Sequence, residues 1–139
     1  MQVGEGGAEL KFNSRDPVYL QVVRYFKEEI ATGRLEKGQI IPSRREIAGK
    51  LKINPNTAQK AYKEMEEQAL IVTEGNSPSR ITTDEHVLSL IRNELITDAV
   101  DAFVLSIAKI QVPVEELLAI VKNKVESTYN QAVKEGEQA

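Results

Sequence analysis

Cysteine is absent from the 139 residues, so neither a disulfide nor a thiolate metal site can form. Histidine occurs once, as His86, which excludes a His-pair metal site and removes the side chain on which most acid–base catalysis depends. There is no Gly-rich phosphate loop and no credible catalytic triad. The carboxylate pairs Glu115-Glu116 and Asp98/Asp101 fall at a helix start or on an outer helix face, where solvated charge is the ordinary reading. No enzyme activity, cofactor or metal is therefore expected. No apolar run approaches the roughly 18 residues of a membrane span. The N-terminus also lacks the basic region and apolar block of a secretory signal. A cytoplasmic protein with no membrane contact is expected.

What is present fits a folded chain: 41% hydrophobic and 28% charged residues are ordinary for a globular protein. The net charge of −3 argues against nucleic acid only until its distribution is read. Through Thr83 there are 13 Lys/Arg against 11 Asp/Glu, and from Asp84 onward 5 against 10. Between Arg44 and Lys63 there are 6 basic residues and 1 acid. Charge close to the phosphates, rather than total charge, sets DNA affinity, so this local patch marks a candidate binding surface.

The patch falls in residues 42–71, PSRREIAGKLKINPNTAQKAYKEMEEQALI, which reads as two short helices around a tight turn. Ser43 and Glu46 have the S-x-x-E spacing of a capping box, and Ile47, Ala48 and Leu51 supply that helix's buried side. Asn54-Pro55 starts the next helix, with Asn as cap and Pro in the first turn. Its inward stripe is Ala58, Ala61, Tyr62 and Met65, and its outer face carries Asn56, Gln59, Lys60 and Lys63. A connection of about Lys52 and Ile53 is short enough to fix a sharp crossing, as in a helix-turn-helix. The first turn of a recognition helix reaches base edges; Asn and Gln can bond adenine bidentately, and Thr offers a hydroxyl and a methyl. Asn56, Thr57 and Gln59 are thus candidate base readers, and Arg44, Arg45, Lys60 and Lys63 candidate phosphate anchors.

The flanking segments read as support. Residues 1–13, with Gly4, Gly6 and Gly7, suggest a flexible tail. Asp16-Pro17 predicts a helix start with Asp16 as N-cap, followed by an apolar stripe of Tyr19, Val22, Val23, Phe26 and Ile30 and a stop at Gly33. Residues 70–73 and 79–82 predict a hairpin, the wing of a winged helix, with 39–41 as a third edge strand. Asp84 predicts another N-cap, and 86–110 a helix apolar around much of its circumference. Val112-Pro113 breaks it, and a second helix follows, frayed from 134 onward. Two helices cannot bury that much apolar surface alone, so Leu88, Ile91, Leu95, Phe103, Leu118, Val121 and Val125 are expected at a symmetric homodimer contact.

These residues resemble the GntR family of bacterial transcription regulators, in particular its short-tailed YtrA-type subfamily. The resemblance covers nearly everything after Ser14. It includes Pro17-Val18-Tyr19-Leu20-Gln21, Gly33-Arg34-Leu35, Pro42-Ser43-Arg44-Arg45-Glu46-Ile47-Ala48 and, most specific, Ile53-Asn54-Pro55-Asn56-Thr57-Ala58-Gln59-Lys60-Ala61-Tyr62. It implies a mainly α fold: a winged helix-turn-helix over 14–83 and a C-terminal two-helix dimerisation hairpin over 84–139. It also implies DNA contacts from Arg45, Asn54, Asn56, Thr57 and Gln59, with Ser43 beside them. The chain departs from the family pattern twice. Ala69 stands where the family carries Gly, so the end of the recognition helix lacks its usual residue. The wing carries acidic Glu74, leaving Gly75, Asn76 and Arg80 as its candidate contacts. The expected function is a dimeric, sequence-specific regulator of operator DNA, a repressor by type. The alternative is a winged-helix protein–protein module that has given up DNA. A small-molecule effector remains an open partner, since the 55 residues after Asp84 make two helices and no enclosed domain.

Overall fold

The computed structural model describes residues 10–138; residues 1–9, most of the expected tail, lie outside the described part, as does Ala139. Helix α1 is Val18–Ala31, α2 Arg44–Leu51 and α3 Pro55–Glu67. Strands β1 (Ile71–Val72) and β2 (Arg80–Ile81) form an antiparallel hairpin. Helix α4 is Glu85–Ile107; a 3-10 turn, Ala108–Ile110, precedes α5, Val114–Gln138. The architecture is the expected winged helix-turn-helix with a helical C-terminal region. By compactness the chain divides into a unit ending at Asp98 and a second from Ala99.

Helix α1 begins one residue later than Asp16-Pro17 predicts, with Pro17 at the cap position and no side-chain cap bond. Local competition explains the shift. The Asn13 carboxamide oxygen accepts from the Arg15 and Asp16 backbone N–H groups, and its amide donates to the Asp16 carboxylate at 3.2 Å. Gln21 in the first turn reaches back to the Asn13 main chain and the Asp16 carbonyl. With Leu10 and Phe12 packed against the core, residues 10–13 are anchored rather than a loose tail. The helix buries Val22, Val23, Phe26 and Ile30, and Gly33 takes the left-handed turn (φ 79°) that ends it.

Both helix starts in the central stretch form as their spacing requires. Ser43 Oγ accepts from Glu46 N, and Glu46 Oε1 accepts from Ser43 N, each at 3.1 Å. Asn54 Oδ1 accepts from Asn56 N at 2.7 Å, with Pro55 at the first helical position. The end of α3 is also explained. Ala69 adopts φ 61°, its N–H donates to Glu66 O, and Leu70 N–H donates to Met65 O. This is the hydrogen-bond pattern that usually recruits glycine, here made by alanine. Leu70 and Met65, both buried, supply the apolar contact that accompanies it.

The hairpin pairs Ile71 with Ile81 and Val72 with Arg80, so the isoleucines face the core and Val72 and Arg80 face solvent. The expected third strand is a single bridge, Ile40 to Arg80. The segment lies between Gly38 (φ 77°) and Pro42, which has no N–H to donate, and the ladder cannot lengthen. The core gathers α1, α2, α3 and the hairpin around Phe26 and Tyr62, whose rings meet edge-to-face at 6.0 Å.

The first half of α4 belongs to this core. Asp84 caps it through His86 N at 2.9 Å. Ile91 is 2% exposed, and Leu88 and Leu95 pack half-buried beside it. Lys27–Glu94 (2.8 Å), Arg24–Asp98 (2.9 Å) and Lys37–Glu85 (2.7 Å) flank that contact. Leu88, Ile91 and Leu95, expected between copies, are therefore used within one chain. A stripe facing an α1–α3 core has the same spacing as one facing a partner, so periodicity alone could not separate them. The 3-10 turn ends α4 at Ile107, and α5 spans Val114 to Gln138.

The unit from Ala99 has no buried residue among those described. Phe103, Leu118 and Val125 are exposed, with Leu118 at 61%, and Val121 is half-buried. Leu105 and Ile110 stand out at 78% and 70%.

Candidate nucleic-acid interface

One face of α3 is closed: Ala58, Ala61, Tyr62 and Met65 are all fully buried against α1 and α2. That closure turns Asn56, Gln59 and Lys63 outward at helical spacings of three and four residues. None of these three side chains has a partner among the described residues, and Thr57 is half-buried beside them. Arg45, in the first turn of α2, is likewise exposed and unpaired. Lys52, exposed in the left-handed position between the two helices (φ 55°), adds a cation that no local motif marked.

Other predicted contacts have prior duties. Ser43 and Asn54 spend their side-chain oxygens on helix caps. Double hydrogen bonding from the Ser43 main chain and hydroxyl holds the Glu46 carboxyl below its usual range. Lys60 places Nζ 4.2 Å above the Tyr19 ring, which draws its charge toward α1. Arg44 donates to the Glu66 carboxylate and lies over the Tyr62 ring at 5.4 Å. Burial pushes the Tyr62 hydroxyl well above the ordinary phenol range, and it donates to the Pro42 carbonyl. Arg80, the cation of the wing, donates to Gly38 O at 3.1 Å. Gly75 and Asn76 are exposed at the tip, and Thr73 and Ser79 join by their hydroxyls across its base. An open groove of about 690 Å³ separates Arg44 and Arg45 from the wing residues Gly75 and Asn76.

The fold thus leaves Arg45, Asn56, Gln59 and Lys63 exposed without partners among the described residues and diverts Arg44, Lys60 and Arg80 to internal partners. Glu66 and Tyr19, which hold two of those cations, are 22 and 41 residues away from them, beyond the reach of any local pattern.

Residues 18–81 match the model of the bacterial regulatory proteins, gntR family. The HTH-type transcriptional repressor YtrA of Bacillus subtilis is 32% identical over 117 residues, covering 78% of this chain and 90% of that protein. The chain belongs to the GntR family. A GntR family transcriptional regulator from Listeria monocytogenes superposes with a TM-score of 0.73 at 34% identity, covering 81% of this chain and 98% of that one. A transcriptional regulator from Oenococcus oeni gives 0.69 at 35% identity, covering 87% and 98%. These relatives support the YtrA-type subfamily within GntR and, like it, are regulators rather than enzymes. Among the described residues no helix is long and apolar enough to cross a membrane, and no cluster of three or more His, Cys, Asp or Glu could hold a metal.

Proposed function

We propose that this GntR protein is a dimeric repressor that binds operator DNA in the cytoplasm, with one α3 in each of two major-groove half-sites. The observation that carries the reading is the outward row of Asn56, Gln59 and Lys63, unpaired among the described residues, on a helix whose opposite face is fully buried. Side chains held out by a rigid helix and lacking intramolecular partners can bond base edges without first breaking other contacts. Asn56, Thr57 and Gln59 read bases, while Arg45, Lys63 and Lys52 meet phosphates. The repressor assignment follows the HTH-type transcriptional repressor YtrA of Bacillus subtilis, which this chain resembles over most of its length.

The second copy is argued from the unit after Asp98. Phe103, Leu105, Leu118 and Val125 leave large apolar side chains in water on a unit with no core of its own among the described residues. Exposed apolar surface on this scale marks an interaction site, and a two-fold partner matches the symmetry of paired half-sites about 34–36 Å apart.

Selection from a random duplex pool by the full-length protein, followed by a titration read for stoichiometry, tests the proposal. An inverted repeat bound by two chains is expected. Failure to enrich any sequence would instead favour a winged-helix module that binds protein.

A further inference from the structure

Arg44 and Arg45 are adjacent in sequence and face different neighbours. Consecutive residues on a helix point about 100° apart, and here one meets solvent while the other meets α3. The Arg44 guanidinium donates through Nη2 to Glu66, its Cζ lies over the buried Tyr62 ring at 5.4 Å from the centroid, and its Nε is buried without a hydrogen-bond partner among the described residues. Both bidentate edges of a guanidinium include Nη2 or Nε. The covered Nε closes the Nε–Nη2 edge, and on the remaining Nη1–Nη2 edge Glu66 already holds Nη2, so the two-pronged grip on a phosphate that makes arginine useful there would have to share that nitrogen with a carboxylate.

The same side chains connect the start of α2 to the middle of α3. Tyr62 hydroxyl bonds the Pro42 carbonyl just before the α2 cap, Arg44 covers the ring, and Glu66 fixes Arg44 one turn further along. An isolated half-exposed ion pair contributes little. A pair held over a fully buried, hydrogen-bonded ring is tied to both α2 and α3.

We infer that Arg44 is a positioning residue: with Glu66 and Tyr62 it sets α2 on α3 so that Arg45 and the base-facing row of α3 engage one duplex together, and it does not itself bind phosphate. This rests on the DNA-binding reading above. The alternative is that Arg44 leaves Glu66 for a phosphate when DNA arrives.

Three full-length variants, E66Q, R44E and the swap R44E/E66R, decide between the two. Each is titrated over a range of NaCl concentrations against a duplex selected by the unaltered protein, with thermal midpoints recorded without DNA. E66Q is expected to bind several-fold more weakly with an unchanged salt slope. R44E is expected to lose roughly tenfold or more, as coupled contacts do, and the swap to recover most of that loss and the thermal midpoint with it. The inference is overturned if E66Q binds more tightly with a slope steeper by about 0.9 per phosphate newly neutralised, or if the swap is as weak as R44E. If R44E does not fold, E66Q and the swap still decide. Failure of the unaltered protein to select any duplex overturns the DNA reading and this inference together; selection followed by failure of the swap overturns this one alone.

Discussion

Two exchanges of the same residue types, made in opposite directions, should both stabilise the protein. Ala69 sits at φ 61°, where an L side chain costs roughly 1–2 kcal/mol because Cβ crowds the following carbonyl. Ala69→Gly removes that cost but restores about 0.5–1 kcal/mol of unfolded-state entropy. The net gain has a central value of about 0.8 kcal/mol within a range of roughly 0–1.5 kcal/mol. Gly49 lies inside α2 with right-handed backbone, and a Cβ there would meet nothing within 4 Å. Gly49→Ala should therefore gain a similar amount, about 0.5–1 kcal/mol, from helix propensity alone. Urea titration at fixed protein concentration should show higher midpoints with unchanged m for both variants, and melting points raised by about 2–4 °C. A lower midpoint for Ala69→Gly would refute the claim that α3 ends in a strained left-handed alanine. A destabilised Gly49→Ala would refute the open helical site.

Three further outcomes follow from the packing and the caps. Ile91→Ala should cost about 2–5 kcal/mol, because the side chain is removed from the core of a single chain; a cost near zero with weaker self-association would return Ile91 to a contact between copies. Leu118→Asp should leave the far-ultraviolet spectrum unchanged and raise the dimer dissociation constant at least about tenfold in sedimentation, as expected when a buried apolar side chain is removed from an interface. Glu46 has its folded pKa lowered from 4.5, so its contribution is present above that pH and lost as the pH falls through the folded value. The melting-point advantage of the protein over Glu46→Gln should thus be constant near pH 7 and vanish in acid below pH 4.5; a pH-independent difference would contradict the charge-assisted capping box.

Much of the fold was legible because its signals are local. Ser43 and Glu46 are three residues apart, Asn54 and Pro55 adjacent, and the inward row of α3 repeats at helical period. The start of α1 falls one residue from its predicted place because the Asn13 side chain takes the Arg15 and Asp16 N–H groups while Gln21, eight residues on, takes the Asp16 carbonyl. The candidate interface residues with no structural duty, Arg45, Asn56 and Gln59, were identifiable by elimination. The status of Arg44 and Lys60 was not, since Glu66 and Tyr19 reach them only through the tertiary fold. Nor could an apolar stripe reveal that its first half, Leu88 to Leu95, completes one chain while its second half stays uncovered.

The central claim is that Asn56 and Gln59 read bases while Arg45 holds phosphate, and one salt-controlled titration tests it directly. Gln59→Ala and Asn56→Ala should each lose about 1–3 kcal/mol on the selected duplex, relax preference at one base position and keep the salt slope. Arg45→Ala should weaken selected and unrelated duplexes alike and flatten the slope by about 0.9 for each phosphate it no longer neutralises. Wild-type affinity and selectivity in all three variants would contradict the account.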